Sequence, residues 1–378
     1  MPEDKQLVQF ICSLNNPDSR LDKFIEALTG AIKSPGNFAL CVGSTATSDL
    51  EGISAAGADG ESRRLTPAID AEALALGKPV SAKSLPVSPK GVVSPVVLSR
   101  AMLNLLGCSI DVFDCGAFYP PKMNCTTVSS THASRIDSGA ALELSVARRL
   151  FTAGEAVGKQ LALKGSYVII GECVPGGTTT ALGVLTALGY DAGRLVSSSM
   201  PSADHERRRK LVSDGLLKSG LTHDSVNREP LLAVSAVGDP MQPFACGVAL
   251  GASSVVPVIL GGGSQMLAVW ALARAIVGVE EMRRRTLGVI TTKWVAFDSG
   301  ADVAALAKLV DAPFAASCPD FNQSRHNGLR LYEDGNVKEG VGAGALMALA
   351  SLSGFDEQKI RHAIDVAYDA MVIEEAPH

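Results

Sequence analysis

No two cysteines of this chain are spaced as CxxC, and its eight cysteines and six histidines are scattered through 378 residues. A zinc ribbon or a disulfide framework has nothing to start from, and buried, reduced thiols are expected, with no metal site. Positive charge is not in excess either: 34 Lys+Arg stand against 39 Asp+Glu, a net charge of −5. Neutralising a phosphate backbone needs a basic surface, so nucleic acid is not an expected partner. Apolar stretches are broken by Gly, Pro or charge before about 20 residues, too short for a membrane-spanning helix. The opening MPEDKQLVQFICSL has neither a basic n-region nor a long apolar core, which reads as no signal peptide and a cytoplasmic protein. Three catalytic signatures are also missing. Gly158-Lys159 is followed by Gln160, so no P-loop is written, and neither GxSxG nor HExxH occurs.

What the chain has is apolar bulk and glycine. Hydrophobic residues make up 47 %, aromatics only 5 %, and there are 37 glycines. That composition can bury one large core or two ordinary ones, and it suits an α/β enzyme with tight strand–loop–helix turns. The patterning predicts strands over 7–14, 38–42, 110–113 and 167–170, with further short apolar runs at 231–234, 255–260 and 287–291. Helices are predicted over 22–32, 67–76 and 142–162, where apolar residues recur at three and four. The segment 53–64 reads as a loop, and 78–95, with four prolines, as an irregular, lid-like connection. Strand, loop and helix in repetition argue for a parallel sheet with helices on both faces.

In such sheets ligands bind beyond the C-terminal ends of the strands, and three loops there carry chemistry. The first runs from Gly171 through Glu172 to Gly176, Gly177, Thr178 and Thr179. Its glycines let backbone approach a ligand, and the helix that follows offers free N–H groups. An acid in a phosphate cradle repels phosphate, so Glu172 suits a cationic or hydrogen-donating ligand part; a capped tight turn is the plainer alternative. The second loop, Gly261-Gly262-Gly263-Ser264-Gln265, precedes a helix and offers the same nest and dipole, or simply close helix packing. The third, Lys338-Glu339-Gly340-Val341-Gly342-Ala343-Gly344-Ala345, opens the last helical stretch and holds in Glu339 a carboxylate where a general base could be fixed by backbone. An exposed first-turn acid favouring the helix dipole is the alternative there. A basic run, Arg207 to Lys210, reads either as a solvated helix face or as a source of one phosphate-binding cation.

Together these loops resemble the nicotinate-nucleotide–dimethylbenzimidazole phosphoribosyltransferase family. The resemblance is carried by GECVPGGTTTALGVL (171–185), PLLAVSAVGDPMQPFACGVALGAS (230–253), PVILGGGSQML (257–267) and LRLYEDGNVKEGVGAGAL (329–346). It extends from about 111 to 350. The front segment 43–74 is similar to the divergent archaeal and cyanobacterial branch. The resemblance implies a Rossmann-like core over about 36–340, with a smaller helical domain from about 1–35 and 341–378, in a homodimer. It implies transfer of phosphoribosyl from nicotinate mononucleotide to the lower-ligand base of a cobamide, with inversion at C1′ and no cofactor. Glu339 would then be the general base, Glu172 an acid at the ligand, and Lys210 a phosphate contact. Gly176, Gly177, Thr178, Thr179, Gly262, Gly263, Ser264, Gly340 and Gly342 would frame the substrates. The acceptor stays open among dimethylbenzimidazole, another benzimidazole, adenine and a phenolic base. A nicotinate-nucleotide-binding protein without an acceptor site is the alternative from another class.

Overall fold

In the computed structural model the described residues are 11–13, 19–86, 88, 91–200 and 204–373. Eight strands form one sheet: β1 (Ile11–Ser13), β2 (Asn37–Val42), β3 (Ser109–Asp114), β4 (Thr126–Thr127), β5 (Val168–Cys173), β6 (Val258–Gly261), β7 (Leu287–Thr292) and β8 (Phe314–Ser317). Their order is β1-β8-β7-β6-β5-β2-β3-β4. Every pairing is parallel except β1 on β8. The chain leaves β2 outward through β3 and β4, then returns to β2's other side as β5 and builds away through β6, β7 and β8. Between β2 and β5 the strand order reverses, which is where sheets of this type open a crevice at their C-terminal ends.

The central strands β2, β5, β6, β7 and β8 are buried on both faces, as parallel strands covered by helices must be. The two-residue period sorts their side chains into two cores. Ala39, Cys41, Val168, Ile170, Val258 and Leu260 enter the first; Phe38, Leu40, Val42, Ile169, Ile259 and Ile290 enter the second. Ten helices have ten residues or more: α1 (Ser19–Ala31), α2 (Gly60–Leu76), α3 (Val96–Leu106), α4 (Leu144–Lys164), α5 (Gly177–Ala187), α6 (His205–Ser219), α7 (Met241–Ala252), α8 (Ser264–Val277), α9 (Ala343–Leu352) and α10 (Glu357–Tyr368). Buried residues of α4, α5, α7 and α8 fill the first core, and those of α1, α2, α3, α9 and α10 fill the second. Helices from both ends of the chain therefore share one face of the sheet.

The expected parallel sheet with helices on both faces is what forms, but several elements differ from the sequence reading. The run 231–234, read with the strands, belongs to a helix, Leu231–Val237. A short apolar run lacks the length that separates a buried strand from a buried helix, and here burial among helices decided it. Helix α2 begins at Gly60, not at 67, so it takes in half of the expected loop and keeps Pro67 inside it. Asp59 caps it by accepting from Ser62 N–H, and the charged stretch is held by tertiary contacts: Arg63 donates to Ser48 O at 2.6 Å and Arg64 pairs with Asp49 at 2.7 Å. Helix α3 starts directly after Pro95, whose fixed φ suits a helix entry. β8 was not foreseen in the sequence, and β5 runs on to Cys173, so Glu172 sits on the strand and not in the loop after it. Of the predicted strand 7–14, only 11–13 lie among the described residues.

Helices α4 and α7 meet backbone to backbone. A Cβ on Gly154 would stand 2.2 Å from Phe244 O, and on Gly158 2.2 Å from Val248 O; on Gly247 it would stand 2.2 Å from Phe151 O, and on Gly251 2.3 Å from Glu155 O. Ordinarily Gly→Ala in a helix gains up to about 1 kcal/mol. Gly154→Ala is expected instead to destabilise by about 1–3 kcal/mol, because the contact must open. Gly30→Ala in α1, where nothing lies within 4 Å, is expected to stabilise. Denaturant unfolding of both variants checks the opposite signs.

Candidate functional site

At the C-terminal ends of β5 and β6 lies a cavity that encloses about 900 Å³ including its open mouth, in the range of small-molecule sites. Its walls come from opposite layers of the fold. One wall holds Gly176, Gly177 and Thr178 at the start of α5 and Gly263, Ser264 and Gln265 at the start of α8. The other holds Thr66 and Asp70 of α2 with Val92, Ser94 and Pro95 of the proline-rich connection. Residues 337–341, Ser197, Ser198 and Ser199 complete its lining.

Two carboxyls 167 residues apart in sequence (339 − 172) line this one cavity. Glu172 is 4 % exposed; its Oε2 accepts from Gln265 Nε2 at 2.9 Å and from Val174 N–H at 3.2 Å. Glu339 accepts from Gly340 N–H at 3.1 Å, Gly344 N–H at 3.2 Å and Thr291 Oγ1 at 3.2 Å. The segment that bears Glu339 is stitched to the sheet by Val341 N–H donating to Glu172 O at 2.9 Å. Behind it, a Cβ on Gly344 would stand 2.2 Å from Thr291 C, so only glycine lets α9 come this close to β7.

The backbone around Glu339 is strained. Val337, Lys338 and Val341 have φ of 65°, 66° and 55°, left-handed values that are costly for valine in particular, at about 1–3 kcal/mol each. The surrounding contacts hold them there: Thr292 Oγ1 donates to Lys338 O at 2.6 Å and Ser99 Oγ to Val341 O at 2.9 Å. Burial raises both acids. Glu339 is pushed up to about 7, against donors that favour its charged form. Glu172 is pushed up to about 8 by burial and then by the charges of Glu339 and Asp239. Burial likewise carries Asp70 to about 7 and Asp239 to about 6.

The structure brings Glu172, Gly176, Gly177, Thr178, Gly263, Ser264, Glu339 and Gly340 to this one cavity. Thr179, Gly262 and Gly342 are not on its lining and act behind it. Gly262 and Gly342 adopt φ of 157° and 72° at helix entries, and Thr179 is fully buried. Lys210 does not belong with them. Its side chain is 76 % exposed and pairs with Asp214 at 3.2 Å on α6. The helix phase explains this: of the basic run, Arg208 is the member turned inward, donating to Ser197 O at 3.1 Å. Among the described residues the cation that lines the cavity is Lys338, buried in an ion pair with Asp298 at 2.6 Å, and Asp298 also takes Ser197 Oγ at 2.6 Å. Sequence reasoning missed Asp298 and Asp70, and it named Lys338 and Gln265 only as members of the third and second loops. The serine run 197–199 was visible as a signal; the Lys338–Asp298 pair, 40 residues apart, was not. Among the described residues no group of three His, Cys, Asp or Glu could hold a metal ion, and no helix is long and apolar enough to cross a membrane.

Comparison with known proteins identifies the family and the fold. The profile of a family described as phosphoribosyltransferase matches residues 91–282. A UPF0284 protein of Gloeobacter violaceus is 44 % identical over 346 residues, covering 91 % of this chain and 89 % of the relative. Another, of Methanothermobacter thermautotrophicus, is 39 % identical over 345 residues, covering 89 % and 94 %. Among solved structures, CobT from Thermus thermophilus superposes with a TM-score of 0.59 at 17 % identity, covering 95 % of each chain. A structure of the nicotinate-nucleotide–dimethylbenzimidazole phosphoribosyltransferase from the same organism gives 0.58 at 16 %, covering 97 % of this chain and 94 % of its own. At these identities the structural likeness speaks for the fold.

A raised carboxyl pKa has a stability consequence whose sign is fixed. Between the ordinary carboxylate value of about 4 and the folded value near 8, the folded state keeps a proton on Glu172 that the unfolded state has lost, so stability falls as pH rises. Glu172→Gln is therefore expected to gain melting temperature relative to the parent protein from pH 5 to 8 and to level off above. Thermal unfolding across that range tests it; a difference independent of pH would overturn the buried-acid account.

Proposed function

The chain belongs to the nicotinate-nucleotide–dimethylbenzimidazole phosphoribosyltransferase family, and on that premise we propose that it transfers phosphoribosyl from nicotinate mononucleotide to a nucleobase-like acceptor of cobamide assembly. The observation that carries this is Glu339: a carboxyl near neutrality, held by two backbone N–H groups and a hydroxyl at a cavity that opens beside two helix starts. One ring nitrogen of the acceptor attacks C1′ of the nucleotide. The C1′–N bond to the pyridinium breaks, its electron pair returns to the ring nitrogen, and nicotinate leaves. The proton on the acceptor's other ring nitrogen passes to Glu339, and an α-riboside 5′-phosphate forms with inversion.

A base with a pKa near the working pH suits this task, because it is ionised when needed and still basic enough to take the proton. Positive charge builds on the ribosyl group in the transition state, and Glu172 is the second carboxylate available to stabilise it. A cationic ligand in the cavity lowers the cost of ionising both acids, so binding of the pyridinium nucleotide favours the charged forms that the reaction uses. The 5′-phosphate fits the starts of α5 and α8, where the first N–H groups of a helix have no partner within it, with Lys338 as the accompanying cation.

Two tests follow from these roles. Glu339→Gln is expected to lower turnover by about 10²–10⁴-fold while nucleotide binding is kept, and the parent enzyme's rate is expected to rise with pH through about 7. Nicotinate release measured by chromatography reads both, and equal turnover in variant and parent would remove Glu339 from the role. Lys338→Met is expected to weaken nucleotide binding about tenfold or more, whereas Lys210→Met leaves it unchanged; calorimetry with nicotinate mononucleotide separates the two lysines.

A further inference from the structure

Helix α2 buries three charged side chains, and two of them are fully provided for. Arg63, 5 % exposed, donates to Ser48 O, and Glu72, fully buried, accepts from the backbone N–H groups of Val80, Ser81 and Lys122 and from Ser81 Oγ. Asp70, 3 % exposed, is the exception. Its Oδ2 takes the thiol of Cys173 at 3.4 Å, while Oδ1 has no hydrogen-bond partner, and the residue lines the cavity. An aspartate inside a helix is a poor helix former, and a buried acceptor without a donor loses its solvation for nothing. The nearby hydroxyls do not resolve this. Tyr332 Oη donates to Val93 O at 2.8 Å, and Ser94, whose Oγ takes Val96 N–H at 3.3 Å, stands close enough for its hydroxyl to favour the charged Asp70 carboxyl but makes no hydrogen bond of ordinary geometry to Oδ1.

The surroundings say what kind of group completes it. Asp70 stands on the wall built from α2 and the proline-rich connection, beside Val92 and Pro95, while the helix starts suited to phosphate and the lysine at Asp298 belong to other elements of the cavity. Charged, this carboxyl repels both anionic groups of nicotinate mononucleotide; protonated, it still offers them no positive charge, so its partner is the neutral acceptor. We propose that Asp70 is a specificity-determining residue for the acceptor: its open oxygen receives an N–H from the ring edge or an exocyclic amine of the base, so that amine-bearing bases such as adenine are selected over bases that present methyl groups there, such as dimethylbenzimidazole. This rests on the phosphoribosyl-transfer reading. A site that hydrogen-bonds a substrate N–H rejects the analogue lacking it far more strongly than an apolar pocket rejects a methyl group.

The experiment compares adenine with dimethylbenzimidazole as acceptors in the full chain, with nicotinate mononucleotide as donor, for the parent protein, Asp70→Leu and Asp70→Asn. The parent is expected to favour adenine in kcat/KM. Asp70→Leu is expected to lose adenine by about 10- to 100-fold and to gain on dimethylbenzimidazole, while Asp70→Asn, which keeps an acceptor oxygen, holds part of the preference. A merely structural aspartate would lower both acceptors together; an unchanged ratio in Asp70→Leu therefore overturns the proposal. Should Asp70→Leu fail to melt cooperatively, the ratio in Asp70→Asn decides by the same criterion. If the parent releases no nicotinate with any base, the transfer reading fails, and calorimetry of the two bases alone still judges Asp70. Weaker adenine binding in the variants then supports it, and equal binding overturns it.

Discussion

One backbone hydrogen bond, Val341 N–H to Glu172 O at 2.9 Å, joins the end of the chain to the middle of the sheet, and the site depends on it. β5 is the strand that pairs with β2 at the reversal of strand order, so its C-terminal end already faces a crevice. Docking the segment before α9 onto that end places Glu339 beside Glu172 and leaves a space between them and α2. The bond is possible because α9 lies against β7 without a side chain between them at Gly344. A strained backbone from Val337 to Val341 is the cost of that approach, and hydrogen bonds from Ser99 and Thr292 keep it in place.

Electrostatics then gives the cavity its character. Burial raises the three acids on its lining, Asp70, Glu172 and Glu339, toward neutral pH, while Lys338 on the same lining is tied to Asp298. An empty site of this kind favours protonated carboxyls. A site filled by a cation favours charged ones, so ligand charge and catalytic ionisation are coupled by Coulomb's law in a low-dielectric space. The burial that costs the free protein stability at high pH is the same burial that makes Glu339 a proton acceptor near pH 7.

Much of this could be read before the fold was known. The glycine-rich strand ends and the acids at 172 and 339 were legible because close backbone approach demands glycine and leaves few substitutes. The buried strands were legible where β-branched runs ended in such loops. The 231–234 run failed because a short apolar segment looks alike as strand or helix, and α2 was shortened because Gly60 to Arg64 becomes helical only through the caps and ion pairs of Asp59, Arg63 and Arg64. Lys210 misled because a basic run does not announce its helical phase: one residue turned inward, and it was Arg208.

The sequence by itself determined the alternation of strands and helices, the strand ends that carry chemistry, and the family likeness, all of which reside in local patterns of at most a few dozen residues. Tertiary structure decided which polar groups meet. Asp70 and Cys173, Lys338 and Asp298, Gln265 and Glu172 are each brought together by separate elements crossing at one end of the sheet. No local pattern encodes such pairs, because each depends on the register and packing of strands that the chain visits out of order.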